Sequence, residues 1–130
     1  MIAVVIIVWS GRTRRRRRQA LAAMAWQNLM AATAAHPGAY LCFVERVYQR
    51  ARRGTKAVIV WAGTDLRQDT WFWHFNPAAG ATLLVYGSAG YGPHNHNPAV
   101  FYVDVGGVLA GAPPGAQQAW LRTQQAATRR

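Results

Sequence analysis

The chain has 130 residues, of which 52% are hydrophobic and six are Trp. These values exclude a fully disordered chain and fit one small domain with its own core. Fifteen Lys and Arg residues against four Asp and Glu give a formal net charge of +11, which indicates nucleic acid or anionic lipid as a partner. The single cysteine, Cys42, excludes an intrachain disulfide framework and is expected to be buried.

The first 18 residues join an apolar stretch to concentrated positive charge. Residues 1–9 are apolar and end at Trp9, and an arginine run follows that consists of Arg12, Arg14, Arg15, Arg16, Arg17 and Arg18. This order is typical of a chain at an anionic membrane face, and it reverses the order found in a signal peptide. The positive-inside tendency would then place the rest of the chain in the cytoplasm.

Three interpretations of residues 1–9, which we call the head, remain open. Nine residues of helix reach about 13 Å, so they cannot cross a hydrocarbon core of about 30 Å by themselves. They are the end of a longer span, a shallow interfacial anchor, or a buried β-strand, which the β-branched residues 4–8 favour.

Residues 19–36 are predicted to form a helix, because they are rich in Ala, Leu and Met and almost free of β-branched residues. The spacing predicts one packed face composed of Leu21, Met24, Ala25, Asn28, Leu29 and Ala32. Pro37 and Gly38 end this helix.

From residue 40 the hydrophobic period changes to two, which predicts strands. Five are expected, at residues 40–50, 56–61, 70–75, 81–87 and 99–105. Residues 110–130 form a Pro/Gly linker and a terminal helix with Trp120 and Leu121 as its apolar contacts. The predicted fold class is therefore mainly β with flanking helices (α+β), in which residues 40–109 form a five-stranded small barrel.

The segment Gly80-Ala-Thr-Leu-Leu-Val-Tyr-Gly87, the Gly-rich loop after it and Ala99-Val-Phe-Tyr-Val-Asp-Val105 resemble the end of an OB-fold. In OB-folds a strand of the form Gly-x-x-Val-x-Val-x-Gly often precedes the last strand. The resemblance covers residues 40–109 and is limited to the fold. The helix that OB-folds often carry between their third and fourth strands has no room in residues 76–81, and an SH3-like barrel is the alternative.

The densest aromatic cluster is Thr70-Trp71-Phe72-Trp73-His74-Phe75. Alternation predicts Trp71, Trp73 and Phe75 on one face, which either packs against the N-terminal helix or stacks on a ligand. OB-type barrels stack bases on such residues beside a basic groove. The predicted binding face for nucleic acid or a partner comprises Arg46, Tyr48, Arg50, Arg52, Arg53, Lys56, Arg67, Trp71 and Trp73.

Other chemistry has weaker support. His94 and His96 could present two imidazoles to a metal, but a third ligand is not apparent and a polar loop is the favoured interpretation. The four acids form no close pair, and no phosphate-binding glycine loop or nucleophile elbow is present. We therefore expect neither a cofactor nor catalysis.

Two functions are consistent with these features. The first is a non-catalytic, membrane-tethered binding or assembly module whose barrel faces the cytoplasm and meets a protein partner. The alternative is an OB-like protein that binds single-stranded nucleic acid through its basic and aromatic face.

Overall fold

The computed structural model describes residues 2–90 and 97–129, with side chains from residue 12 onward. Two helices flank one mixed sheet, which confirms the α+β class. In chain order the elements are α1 (Ile2–Ala35), β1 (Tyr40–Ala51), β2 (Gly54–Trp61), β3 (Arg67–Trp73), β4 (Thr82–Val85), β5 (Ser88–Ala89), β6 (Val100–Val103), β7 (Val108–Ala112) and α2 (Ala116–Thr128).

The strand order is β5-β6-β3-β2-β1-β4-β7. Strands β1, β2 and β3 form an antiparallel meander, and β4 returns to pair antiparallel with β1, which is a Greek-key arrangement. Strand β6 joins the other side of β3 in parallel. Because β4 and β5 lie far apart in this order but are separated in the chain by Tyr86 and Gly87 alone, the sheet must curl, and it forms a half-barrel.

The described residues form seven strands, so the prediction of five was wrong in two places. The strand predicted at residues 81–87 ends at Val85 as β4, and β5 lies just after its predicted end, in a stretch expected to be a loop. A Cβ at Gly87 would lie 2.4 Å from the carbonyl oxygen of Tyr102, so the backbones approach there too closely for any other residue. Strand β7 was missed, because its residues are mostly small and the linker was predicted to begin at residue 110.

The concave side of the half-barrel holds the main core. Its fully buried side chains include Val44 from β1, Ile59 from β2 and Phe72 from β3. Cys42 lies among them as expected, and burial raises the pKa of its thiol to about 12. A thiol that stays protonated is a poor nucleophile, so Cys42 acts as a packing residue.

Helix α1 packs outside the half-barrel, against β4, β7 and α2. Leu29 meets Leu84 and Ala112 there, in a second core cluster. The predicted face was only partly right, since Ala25, Leu29 and Ala32 are packed but Leu21 is 60% exposed and Met24 is 56% exposed.

The packed face of α1 is rotated from its predicted position, because Trp26 and Met30, which do not belong to the predicted face, contact the second cluster. In α2 the buried residues are Ala116 and Ala119, while Leu121 is exposed, so Leu121 was wrongly expected to be an apolar contact.

The backbone is helical from Ile2, so the interpretation of the head as a β-strand was wrong and the helix begins well before residue 19. Within the described residues, no helix combines the length and the apolar character that crossing a membrane requires. The arginine run lies inside α1, and its side chains are exposed.

Candidate ligand-binding groove

A groove of about 430 Å³ lies on the convex side of the meander, where β1, β2, β3 and β6 meet. Strands β2 and β3 form its floor, Tyr48 of β1 forms one wall and Tyr102 of β6 contributes to the other. Its full lining is Tyr48, Gln49, Lys56, Asp69, Thr70, Trp71, Trp73, Asn97, Val100 and Tyr102.

Strand alternation puts the two tryptophans of β3 into the groove. Phe72 points into the core, and Trp71 and Trp73 therefore point to the opposite side. The strand ends at Trp73, and His74 adopts a left-handed φ of 49°. This turn breaks the alternation, so Phe75 packs back against Phe72 with ring centroids 5.9 Å apart. The prediction that Phe75 shares the face of the tryptophans was therefore wrong.

The two indoles contact each other edge to face, with ring centroids 5.1 Å apart and planes at 83°. Gly54 of β2 makes this arrangement possible, because a Cβ at that position would lie 2.5 Å from Cζ2 of Trp71. Among the described residues, the buried indole N–H of Trp71 has no hydrogen-bond acceptor. The floor is thus aromatic and contains one unused donor.

The wall formed by Tyr48 is held from both sides. The Tyr48 hydroxyl donates a hydrogen bond to the carboxylate of Asp69, so the side chain reaches across β2 from β1 to β3. The guanidinium of Arg46 lies 5.7 Å from the centre of the Tyr48 ring. Partial burial and the nearby Asp69 carboxylate raise the pKa of Tyr48 to about 12, so the phenol stays neutral at physiological pH.

Positive charge borders the groove at one end. Lys56 lies directly opposite Trp71 in the β2–β3 register and lines the groove. Beyond it, Arg50 and Arg52 line a neighbouring depression of about 260 Å³, and Arg50 also donates to the carbonyl of Pro77. Arg53 lies in the same β1–β2 turn, where its carbonyl accepts the backbone N–H of His74.

Arg67 lies outside this set. Its guanidinium forms a 2.7 Å ion pair with Glu45, and neither residue lines the groove. The hydrogen bond from Arg67 lowers the pKa of Glu45, and the carboxylate in turn raises the pKa of Arg67. Of the nine residues predicted for the binding face, the structure brings Tyr48, Lys56, Trp71 and Trp73 into one groove and sets Arg46 behind its wall.

Six of the ten residues that line the groove were not predicted from the sequence, namely Gln49, Asp69, Thr70, Asn97, Val100 and Tyr102. Tyr102 reaches the groove through the parallel pairing of β3 with β6, in which it lies opposite Trp71. No local pattern predicts such a long-range pairing. The expectation that Trp71 and Trp73 cover the N-terminal helix was wrong, because α1 packs on β4 and β7, at the opposite edge of the sheet from the groove.

The two histidines that could bind a metal are not among the described residues. His94 and His96 lie between residues 90 and 97, outside the described residues. Among the described residues, no group of three or more His, Cys, Asp or Glu side chains could hold a metal ion.

Comparison with known proteins gives no relative for this chain: no family model, curated protein or solved structure matches it. The interpretation of the groove therefore depends on its own geometry.

Proposed function

We propose that this chain is an OB-like, non-catalytic module that binds single-stranded nucleic acid in the groove on β2 and β3. The observation that carries the proposal is the meeting of Trp71, Trp73, Tyr48 and Lys56 in one open depression. Aromatic faces beside a cation are what a sequence-tolerant site for single strands requires, because every base can stack and every nucleotide carries a phosphate.

The strand connectivity supports the OB-like part of this proposal. An OB-fold is a partly open Greek-key barrel that binds oligonucleotides on the face of its second and third strands and on two flanking loops. Here the Greek key consists of β1 to β4, and the groove lies on β2 and β3. The β1–β2 turn supplies Arg52 and Arg53, and Asn97 from the segment between β5 and β6 lines the groove.

Each group in the groove has a part in this binding. A base would stack on the Trp pair or on the Tyr48 ring, and each such contact stabilises a complex by about 1–3 kcal/mol. Lys56 and the arginines of the β1–β2 turn would neutralise phosphates as the strand leaves the groove. Because Tyr48 stays neutral, its ring adds stacking area without adding negative charge.

A non-catalytic role fits the acids of the described sheet, because two of them already have partners. Glu45 pairs with Arg67, and Asp69 accepts the hydroxyl of Tyr48. Asp69 is the single acid among the residues that line the groove, so this lining offers no pair of carboxylates for general acid and base catalysis, and Cys42 is buried. We therefore propose that the groove holds its ligand without changing it.

The test is fluorescence anisotropy of the full chain with a labelled single-stranded oligonucleotide, measured over a salt series. Trp73→Ala should weaken binding about fivefold to a hundredfold, because it removes one stacking surface. Lys56→Gln should weaken binding and reduce the slope of log affinity against log salt by about 1, whereas Arg67→Gln, whose cation lies outside the groove, should change affinity little.

The arginine run could bind any polyanion, so a second ligand is needed. An abasic oligonucleotide of the same length offers the same phosphates without bases to stack. We expect it to bind more weakly than the normal strand and to be insensitive to Trp73→Ala. Equal affinity for both strands, or full affinity in a Trp73→Ala variant with native circular dichroism, would refute the groove as the binding site.

A further inference from the structure

We propose that residues 2–9 of α1 insert into one leaflet of an anionic bilayer, the leaflet whose headgroups meet the arginine run. This membrane contact would not involve the groove, which lies on the sheet. Helix α1 is continuous from Ile2 to Ala35. At a rise of 1.5 Å per residue, the apolar residues 2–9 reach about 12 Å. That length is close to one leaflet, which is half of a hydrocarbon core of about 30 Å.

The arginine run surrounds the helix axis with charge. Successive helical residues are rotated by about 100°, so the five consecutive arginines from Arg14 to Arg18 point in all directions. All of them are exposed. No apolar stripe therefore runs along this segment, and the segment cannot lie flat with one face in the lipid. An orientation along the membrane normal spreads the Cα atoms of residues 12–18 over about 9 Å of depth, and the long side chains can reach the phosphates from there.

This charge has no internal compensation. The first acidic residue of the sequence is Glu45, and the ion pair found in the described part of the chain joins Glu45 to Arg67. Pairs of like charge four residues apart, such as Arg14 and Arg18, destabilise a helix in water. An anionic surface removes this repulsion, and it attracts each arginine within about a Debye length.

Both a nucleic acid and an anionic bilayer would neutralise the arginines, and the apolar residues 2–9 favour the bilayer. A nucleic acid would leave residues 2–9 in water, whereas a bilayer accepts them in its hydrocarbon while its headgroups meet Arg12–Arg18. Among the α1 side chains that the structure describes, those of residues 12–21 are exposed, and packing begins at Ala22 and Ala23, about one turn after Arg18. The half-barrel would therefore be held directly above the headgroups.

Flotation of the full chain with vesicles tests this inference. We expect flotation with vesicles of phosphatidylcholine and phosphatidylserine that weakens but persists at high salt. Phosphatidylcholine alone should give flotation at about that reduced level, because salt screening and neutral headgroups both remove the attraction to the arginines. Arg15→Gln/Arg16→Gln should reduce flotation at low salt several-fold, whereas the charge-matched control Arg122→Gln/Arg129→Gln in and after α2 should not. Ile6→Asp should make flotation sensitive to salt.

Failure to float with phosphatidylserine vesicles would overturn the inference, as would an Ile6→Asp variant that resists salt like the wild type. A third result would also overturn it: an oligonucleotide displaces the chain from vesicles, and Arg15→Gln/Arg16→Gln loses oligonucleotide affinity by the same factor as it loses flotation. The arginine run would then be a nucleic-acid-binding arm. Trp73→Ala should float like the wild type, so a failure of the groove proposal is distinguishable from a failure of this one.

Insertion into one leaflet is tested with a probe on Ala3→Cys, because the native Cys42 is buried and does not compete for the label. A fluorophore at position 3 should be protected from iodide added outside the vesicles and from iodide enclosed inside them. Quenching by enclosed iodide would show that the head crosses both leaflets, and quenching by external iodide would show that it does not insert.

Discussion

The hydroxyl of Tyr48 on β1 donates a hydrogen bond to the carboxylate of Asp69 on β3, across the strand that lies between them. This contact fixes the ring that forms one wall of the groove. It also puts the single carboxylate of the groove lining next to the place where a phosphate would pass. The contact therefore favours the shape of the groove and opposes the binding of an anion.

Asp69→Asn separates these two effects. An amide oxygen still accepts the Tyr48 hydroxyl, but the negative charge is removed. At about 4 Å in water a unit charge repels another by about 1 kcal/mol, so affinity for a single-stranded oligonucleotide should rise about two- to fivefold. Anisotropy titrations of Asp69→Asn and, as a control, of the exposed Asp104→Asn measure this. Unchanged or reduced affinity in Asp69→Asn, with the fold intact, would argue against a polyanion in the groove.

Gly54→Ala tests whether the backbone of β2 sets the position of the Trp pair. The added methyl group would lie 2.3 Å from the carbonyl oxygen of Phe72 and 2.5 Å from the Trp71 indole, so the indole must move. We expect a loss of about 1–3 kcal/mol in the free energy of unfolding and weaker oligonucleotide binding. Urea denaturation followed by Trp fluorescence provides the first measurement.

The matched control is Gly38→Ala, where a Cβ meets only Tyr86 at 3.8 Å. This substitution should leave both stability and binding close to the wild type. Equal losses in the two variants would mean that close packing at Gly54 is not what holds Trp71.

The ion pair of Glu45 and Arg67 predicts a pH dependence of stability. Because the pKa of Glu45 in the folded protein lies below its ordinary value of 4.5, the pair stabilises the fold above that value. The contribution is lost as the pH falls through the lowered pKa. Thermal unfolding of the wild type and Glu45→Gln should therefore differ at pH 7 and converge at acidic pH, once Glu45 is protonated in the folded protein. A difference that stays constant as the pH falls would refute the assignment.

Leu29 and Leu21 form a matched pair on α1. Leu29 is 1% exposed and packs on the second cluster, whereas Leu21 is 60% exposed. Leu29→Ala should cost about 2–5 kcal/mol of unfolding free energy, and Leu21→Ala less than about 0.5 kcal/mol. Urea denaturation of both variants checks this, and similar costs would show that the helix packs through a different face.

Sequence reasoning succeeded where a pattern is local. The alternation of Trp71, Phe72 and Trp73 predicted which side chains leave the core, and the composition of residues 19–36 predicted a helix. It failed where the answer depends on distant pairing. Tyr102 reaches the groove only through the parallel β3–β6 pair, and β7 is recruited by β4 despite a sequence of small residues.

The errors at the ends of elements have local physical causes. The left-handed backbone of His74 removed Phe75 from the face of the tryptophans. The strand expected at residues 81–87 ends at Val85, two residues before the close backbone approach at Gly87. Arg67 was grouped with the basic face although it pairs with Glu45. Arg67 begins β3 and Glu45 lies on β1, so this partner could not be predicted from their spacing in the sequence.

The paired strands of the meander are close together in the sequence, whereas the parallel strands β3 and β6 are far apart in it. Strands β1, β2 and β3 are joined by short turns, so their pairing closes only small loops, whereas β6 must return to β3 after β4 and β5 have been passed. Local contacts form faster than distant ones. The tryptophan floor should therefore assemble early during folding, and its Tyr102 wall should arrive only in the last, slow step.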